Sequence, residues 1–290
     1  MGMLDGKVAL VTGAGGGLGR AHALLLAQEG AKVVVNDLGG ARDGTGASSS
    51  MADTVVEEIK AAGGEAVANY GSVTNRSDVE AMVQACVDNF GKIDICIANA
   101  GILRDKSFKN MDDDMWDVVI DVHLRGTYLT TKVAYDTMLA QGTGGRIIVT
   151  SSTSGLLGNF GQTNYGAAKA GIAGLMRCLW LEGLKYGITV NALAPTATSR
   201  MTTDILPEDI QDDFPPEAVS PPVVWLCTDD AKDVSGRQFL VGGNKVHLLS
   251  WQLTPIASRD LADGIWDVAE IGEKIAASKD QWPPVNPMRG

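Results

Sequence analysis

The chain has 290 residues, 45% hydrophobic and 20% charged, with 35 glycines and few aromatics, enough to bury one large core or two modest ones. Its 24 basic residues against 35 acidic ones give a net charge of −11, which speaks against nucleic acid or an anionic membrane as the main partner, since both demand a basic surface. A small anionic molecule needs only a few placed donors and is not excluded.

In chain order, the N-terminal "MGMLDG" resembles a myristoylation start, but Gly6 stands where Ser or Thr is required. The first apolar run, "VALVT" (8–12), is too short for a signal peptide or a membrane span. The tail "PMRG" is not a peroxisomal address, so the expected location is cytoplasmic. Strands are predicted at 7–12, 32–36, 65–69, 93–99, 146–150, 188–193 and 238–241. They are Val- and Ile-rich without alternation, as strands buried on both faces should be. Helical patterns fall between them at 18–30, 51–62, 76–90, 113–140 and 164–186.

Repeated strand-helix-strand units imply an α/β fold: one doubly wound, Rossmann-type parallel sheet of about seven strands with helices on both faces. The segment 38–50 reads as a long polar loop, and 196–216 as a second irregular stretch of the kind that forms lids. A single domain is expected over 1–245, with 246–290, which carries Trp251, Trp266 and Trp282, as an extension docked on the core or on a partner subunit. The cysteines Cys86, Cys96, Cys178 and Cys227 lack C-x-x-C spacing and read as buried thiols in a reducing compartment.

Two stretches carry chemistry. In "VTGAGGGLG" (11–19), Gly13, Gly17 and Gly19 join the first strand to the first helix. Glycines there let the backbone approach a pyrophosphate, which the free N–H groups of the helix start attract. Leu18 falls where the G-x-G-x-x-G fingerprint would put its last glycine. The second strand ends in Asp37, a carboxylate able to accept ribose hydroxyls and repel a 2′-phosphate. Together they indicate a dinucleotide site, with NAD as the cofactor. In "GNFGQTNYGAAKAG" (158–171), Tyr165 and Lys169 lie four apart on one helix face among small residues.

The series T-G-x-x-x-G-x-G, "ANAG" (98–101), a serine, then Y-x-x-x-K resembles the short-chain dehydrogenase/reductase family over about 7–243. The resemblance implies Ser152, rather than Ser151, as the catalytic serine, Tyr165 as proton donor and acceptor, and Lys169 as its activator. It implies a cofactor site from Gly13, Gly15, Gly17, Leu18, Gly19, Asp37, Ser72, Val73, Asn99, Ala100, Gly101, Tyr165, Lys169, Pro195 and Thr198. The chemistry is consistent. Oxidising a secondary alcohol requires a base, and a tyrosine near pKa 10 is a poor one until a nearby ammonium and a cationic ring favour its phenolate.

Four positions depart from the family pattern. In "DVHLRG" (121–126), His123 replaces a catalytic asparagine thought to act through its backbone carbonyl. A histidine retains that role, and proton transfer by its imidazole is the alternative. Ala98 replaces the first asparagine of "ANAG", and Gly71 stands where an aspartate commonly holds adenine, leaving Ser72 or backbone groups to do so. "APTATSR" (194–200) replaces a Pro-Gly, and Thr196 and Thr198 are near where the family clamps the nicotinamide amide.

Segments such as "VVVNDLGG", "AGILRDKSF", "HLRGTY", "SRMT", "LPEDI" and "VVWLC" are similar to the (3R)-hydroxyacyl-CoA dehydrogenase domains of type 2 peroxisomal multifunctional enzymes. That implies a fatty-acyl or steroid side-chain thioester as substrate. Arg104, Lys106 and Lys109 follow the fourth strand and read either as CoA-phosphate contacts or as a solvated loop. His22 and His247 show no ligand spacing, so no catalytic metal is expected. Two other readings stay open. One is an enzyme acting on a ring-hydroxyl steroid or, as a reductase, on an acyl-carrier-protein thioester. The other is a non-catalytic NAD-binding protein. A homodimer or homotetramer is expected, because helices 113–140 and 164–186 carry more apolar residues, including Trp180, Leu181 and Leu184, than one face needs.

Overall fold

The computed structural model describes residues 2–198 and 208–285. The quoted "SRMT" and the start of "LPEDI" lie outside the described residues. The chain divides into two units, Met1–Leu249 and Ser250–Gly290.

The first unit follows the alternation read from the sequence: β1 (Val8–Thr12), α1 (Gly17–Gln28), β2 (Lys32–Asn36), α2 (Ser50–Ala61), β3 (Ala66–Asn69), α3 (Arg76–Phe90) and β4 (Ile95–Ala98). Then come α4 (Asp113–Val119), a π-helical turn Ile120–Arg125, α5 (Gly126–Gln141), β5 (Gly145–Thr150), α6 (Thr153–Leu157) and α7 (Thr163–Gly183). It closes with β6 (Ile188–Pro195), α8 (Ser220–Trp225), β7 (Gln238–Gly242) and β8 (Lys245–Leu249). All belong to one sheet in the order β3-β2-β1-β4-β5-β6-β7-β8. The first seven strands pair in parallel, for example Val11 with Val35 and with Ile97, and β8 pairs antiparallel to β7.

Why the strands lack alternation is visible in the packing. Ala9, Val11, Val33, Val35, Ile95, Ile97 and Ile148 face one core with Leu26, Val55 and Ile59 from α1 and α2. Val8, Leu10, Val34, Cys96, Ile147 and Val149 face the other with Met82, Met138 and Ile172 from α3, α5 and α7. Both faces are covered, so both need apolar side chains.

Three differences from the sequence reading have local causes. The eighth strand returns through the hairpin at Gly243 and Asn244, both at positive φ, and its exposed side chains hid it from an apolar-run criterion. The helix expected over 113–140 is continuous but changes to π geometry at Ile120–Arg125, a distortion that often accompanies a functional site. Cys178 is exposed, while Cys86, Cys96 and Cys227 are buried. Among the described residues no helix is long and apolar enough to cross a membrane.

The second unit contains α9 (Val268–Ser278), capped by the Asp267 carboxylate accepting from Glu270 N. Arg259 lies over the Trp266 ring at 3.9 Å and pairs with Glu270. Trp282 Nε1 donates to Ser278 Oγ at 2.9 Å.

Candidate active site

The strand order reverses between β1 and β4, so the loops after them diverge and leave a crevice at the carboxyl edge of the sheet. The glycine turn fills one wall. Gly13 has φ +64°, and a Cβ there would meet Ala100 Cα at 2.8 Å, so only glycine lets the two segments close up. Gly16 caps α1 without a side-chain hydrogen bond, which leaves the first N–H groups of the helix facing the crevice. Thr12 Oγ1 accepts from Asn99 N at 3.1 Å and Ala100 N at 3.2 Å, and Asn99 Nδ2 donates to Thr12 O and Gly13 O. These bonds lock the ends of β1 and β4 together.

The groove is lined by Gly13, Gly17, Leu18, Asp37, Ser72, Val73, Asn99, Ala100 and Gly101 among the residues expected from the sequence. Gly15 and Gly19 stand behind it. Gly19 packs on the carbonyl of Gly13, and Gly15 N donates to Asp37 Oδ2 at 2.7 Å. The other carboxylate oxygen of Asp37 accepts from Gly39 N at 2.7 Å. Beyond β3, Asn36 Nδ2 donates to Gly71 O at 3.0 Å and Ser72 N to Asp78 Oδ2 at 2.9 Å. Ser72 Oγ is paired with Thr74 Oγ1 at 2.9 Å. A Cβ at 71 would meet Asp78 Cβ at 2.9 Å, so no larger residue fits at this position without a shift. Pro195 ends β6, and Thr198 is tied down, donating to Gln211 O from Oγ1 at 2.6 Å and to Phe214 O from its backbone at 2.7 Å.

The loop after β2 did not read as part of the site, yet it lines the groove through Leu38, Gly40, Ala41, Arg42 and Gly44. It crosses above the end of β1 to the segment after β4. Leu103 N donates to Arg42 O at 3.1 Å, and Arg104 Nε donates to Asp43 O at 2.7 Å. Arg104, read as a CoA-phosphate contact or a solvated residue, therefore spends its Nε on this strap. Only the unusual length of the polar run 38–50 hinted at it.

The two adjacent serines at the end of β5 face different ways. Ser151 is fully buried and donates to Lys169 O at 2.9 Å. Ser152 caps α6, its Oγ accepting from Ser154 N at 3.1 Å, and stands near enough to Tyr165 to favour its phenolate. Lys169 Nζ is buried, donates to Thr150 O at 2.6 Å, and lies 5.4 Å from the Tyr165 ring centroid. Burial lowers the Lys169 ammonium to about 7. Burial likewise pushes the Tyr165 hydroxyl up to about 12, opposed by the neighbouring Ser152 and reinforced by the negative charge of Asp105.

The π turn carries His123 inward, where its Nε2 meets Ile102 O at 2.7 Å and Ile102 N at 3.0 Å. Its Nδ1 is buried with no partner. Burial, and then the Lys169 charge, hold His123 far below the ordinary histidine value, so the ring is neutral. A Cβ on Gly101 would collide with this ring. The small residues of α7 and α6 have a packing use. Gly166 lies against Ser154 O, Gly171 against Leu124, and Gly155 of α6 against Lys169, so they admit neighbouring protein segments.

The short chain dehydrogenase family model matches residues 7–211. A short-chain type dehydrogenase/reductase of Mycobacterium tuberculosis is 51% identical over 281 residues, covering 94% of this chain and 98% of that protein. The peroxisomal multifunctional enzyme type 2 of Mus musculus is 52% identical over 86% of this chain, which spans only 33% of that enzyme. A hydroxyacyl-CoA dehydrogenase of M. tuberculosis is 41% identical, covering 92% of this chain and 87% of that one. The crystal structure of a short chain dehydrogenase from Mycobacterium avium superposes with a TM-score of 0.86 at 44% identity, covering 98% and 99% of the two chains.

Proposed function

The chain belongs to the short chain dehydrogenase family and is an oxidoreductase, and on that premise we propose that it interconverts (3R)-3-hydroxyacyl-CoA and 3-oxoacyl-CoA with NAD. The observation that carries the catalytic reading is the convergence of Ser152, Tyr165 and Lys169 at the carboxyl edge of the sheet, beside a groove walled by backbone N–H groups and Asp37. A nicotinamide dinucleotide in that groove supplies the hydride acceptor. The remaining work falls to this chain. Ser152 Oγ orients the substrate oxygen. Tyr165 Oη takes the hydroxyl proton in oxidation and returns it in reduction. Lys169, whose ammonium is poised near neutrality, favours the phenolate through its charge.

NAD is favoured over its 2′-phosphorylated form by Asp37, whose two oxygens are fixed by Gly15 N and Gly39 N at the groove wall. Arg42 lines the same groove, but its charge acts on Asp105. The substrate class rests on likeness to the hydroxyacyl-CoA dehydrogenase and multifunctional-enzyme relatives. Exposed Leu181 (58%) and Leu184 (55%) on and just beyond α7 support a homodimer or homotetramer, whereas Trp180 turns inward against the core. A cytoplasmic location belongs to the same reading.

The test is steady-state kinetics with 3R and 3S thioesters, an acyl-carrier-protein thioester and free hydroxysteroids, each with both cofactors. The reading expects the highest kcat/KM for a 3R CoA thioester with NAD. Equal efficiency on a free steroid, or with the phosphorylated cofactor, overturns the corresponding half.

A further inference from the structure

We propose that Asp105 is a positioning residue for the catalytic pair: it anchors Gln162, and through it Ser154 and Ser152, and places a negative charge facing Tyr165. The inference rests on the catalytic reading above and adds a residue to it.

Three consecutive residues after β4 are tied to the approach of α7. Asn164 Nδ2 donates to Arg104 O at 3.0 Å, Gln162 Nε2 donates to Asp105 Oδ2 at 2.6 Å, and Lys106 N donates to Gly161 O at 2.9 Å. Gln162 is buried and its other end is also committed. Its Oε1 accepts from Ser154 Oγ at 2.7 Å and from Asn159 Nδ2 at 3.1 Å. Ser154 N in turn donates to Ser152 Oγ. One step along, Asn164 Oδ1 accepts from Tyr165 N at 2.7 Å. The chain Asp105–Gln162–Ser154–Ser152 therefore runs from the rim of the site to the substrate-orienting hydroxyl.

Any neutral acceptor would satisfy the Gln162 amide, so the carboxylate adds something further. Residue 105 is exposed as a whole, yet its carboxyl end is tucked in enough that burial raises it, against the Gln162 bond and the Arg42 charge, which lower it. Tyr165 meets His123 from the π turn and Lys169 from its own helix, and the Asp105 carboxylate, held by Gln162 at 2.6 Å, acts on its hydroxyl through charge from the segment after β4. Of these, Asp105 supplies the negative charge, which opposes phenolate and favours Tyr165 as a proton donor. Arg42 belongs to the strap over the cofactor groove, so the seating of the strap and the charge felt by Tyr165 are connected.

Asp105→Asn keeps an acceptor for Gln162 and removes the charge, whereas Asp105→Ala removes both. With Asp105→Asn, the limb of the alcohol-oxidation pH profile set by Tyr165 should move to lower pH. A shift of a few tenths of a unit raises oxidation at pH 7 by about 2–5-fold where phenolate is the minor form. With Asp105→Ala, kcat should fall roughly 10–100-fold through misplaced Ser152. A second readout needs no turnover: the ultraviolet phenolate absorbance of the unliganded protein on alkaline titration, taken as the difference from its Tyr165→Phe counterpart. It should titrate lower in Asp105→Asn. An unmoved profile and an unmoved absorbance titration overturn the inference, even if Asp105→Ala fails to fold. If Tyr165→Phe remains active, the catalytic reading itself falls and takes the inference with it. If Tyr165→Phe is inactive and Asp105→Asn behaves as the wild type, only the inference falls.

Discussion

The rings of His123 and Tyr165 meet edge to face, their centroids 5.1 Å apart and their planes at 89°. On its far side His123 offers a single nitrogen, Nε2, to both polar groups of Ile102. One tautomer donates to the carbonyl and the other accepts from the N–H, and neither does both. An amide side chain carries a donor and an acceptor together. His123→Ala should therefore destabilise the protein by about 2–4 kcal/mol, from the cavity and the unmet backbone groups, and lower kcat by unseating Tyr165. His123→Asn should recover most of both. Urea denaturation with steady-state kinetics checks this. A stable His123→Asn protein as inactive as His123→Ala would show that the imidazole itself moves protons.

Tyr165→Phe should preserve the fold and cofactor binding while kcat drops roughly 10²–10⁴-fold. In the wild type, kcat/KM for oxidation should climb as pH rises through 7 toward 10, because the base form of a hydroxyl held near 12 is scarce at neutrality. Reduction, which uses the protonated hydroxyl, should stay nearly flat over the same range, since that form prevails until the pH nears 12. A flat oxidation profile would place the proton elsewhere.

Lys169 makes the stability of the unliganded protein depend on pH. Its folded value near 7 lies below the ordinary 10.5. Below pH 7 both states carry the charge, and the folded one bears the full cost of burying it. Between about 7 and 10.5 the unfolded chain binds more protons, so stability rises with pH, by up to about 1.4 kcal/mol per pH unit from this group. Lys169→Met should remove that increment, seen as a pH-dependent difference in denaturation midpoint between the two proteins. A constant difference from pH 7 to 10 would contradict it.

Asp37→Ala should weaken NAD binding at least about tenfold, since it removes a ribose acceptor and also releases Gly15 N and Gly39 N. Preference over the phosphorylated cofactor should shrink at the same time. Titration calorimetry with both dinucleotides measures each effect.

Replacing both Leu181 and Leu184 by Glu should reduce the mass measured by light scattering to that of a smaller species without loss of folded signal. Both side chains stand in solvent in a single chain, so an unchanged mass would count against this face as the proposed interface.

The seven parallel strands were legible because burial on both faces leaves uninterrupted Val and Ile runs, and the turn at Gly13 because left-handed backbone demands glycine. The choice of Ser152 over Ser151 came from spacing within the family pattern, and the structure turns Ser151 back onto Lys169 O. The sequence did not disclose the π turn, whose side chains look like those of any helix, or β8, whose outward residues break the apolar pattern. Gln162 and Asp105 stayed hidden for another reason. Their meaning lies in a contact between segments more than fifty residues apart, which no local periodicity records. Gly71 was read as a missing acceptor, and the structure shows the side chains of Asp78, Asn69 and Met82 filling that space.

The strap fastened from Arg42 and Asp43 to Leu103 and Arg104 turns an open crevice into a sleeve, and so separates how tightly a ligand is gripped from how quickly it is exchanged. Asp43 and Thr45 bond to each other within the strap, Thr45 N donating to Asp43 Oδ1 at 3.0 Å, and are not among the groove-lining residues. Substitutions at these two positions should loosen the fastening without touching the residues that line the groove. They should act on entry and departure together, leaving the equilibrium constant nearly where it was while residence time shortens, which stopped-flow cofactor binding measures. Were cofactor release to limit turnover, that limit would be set by a surface loop and could be adjusted apart from the chemistry beneath it.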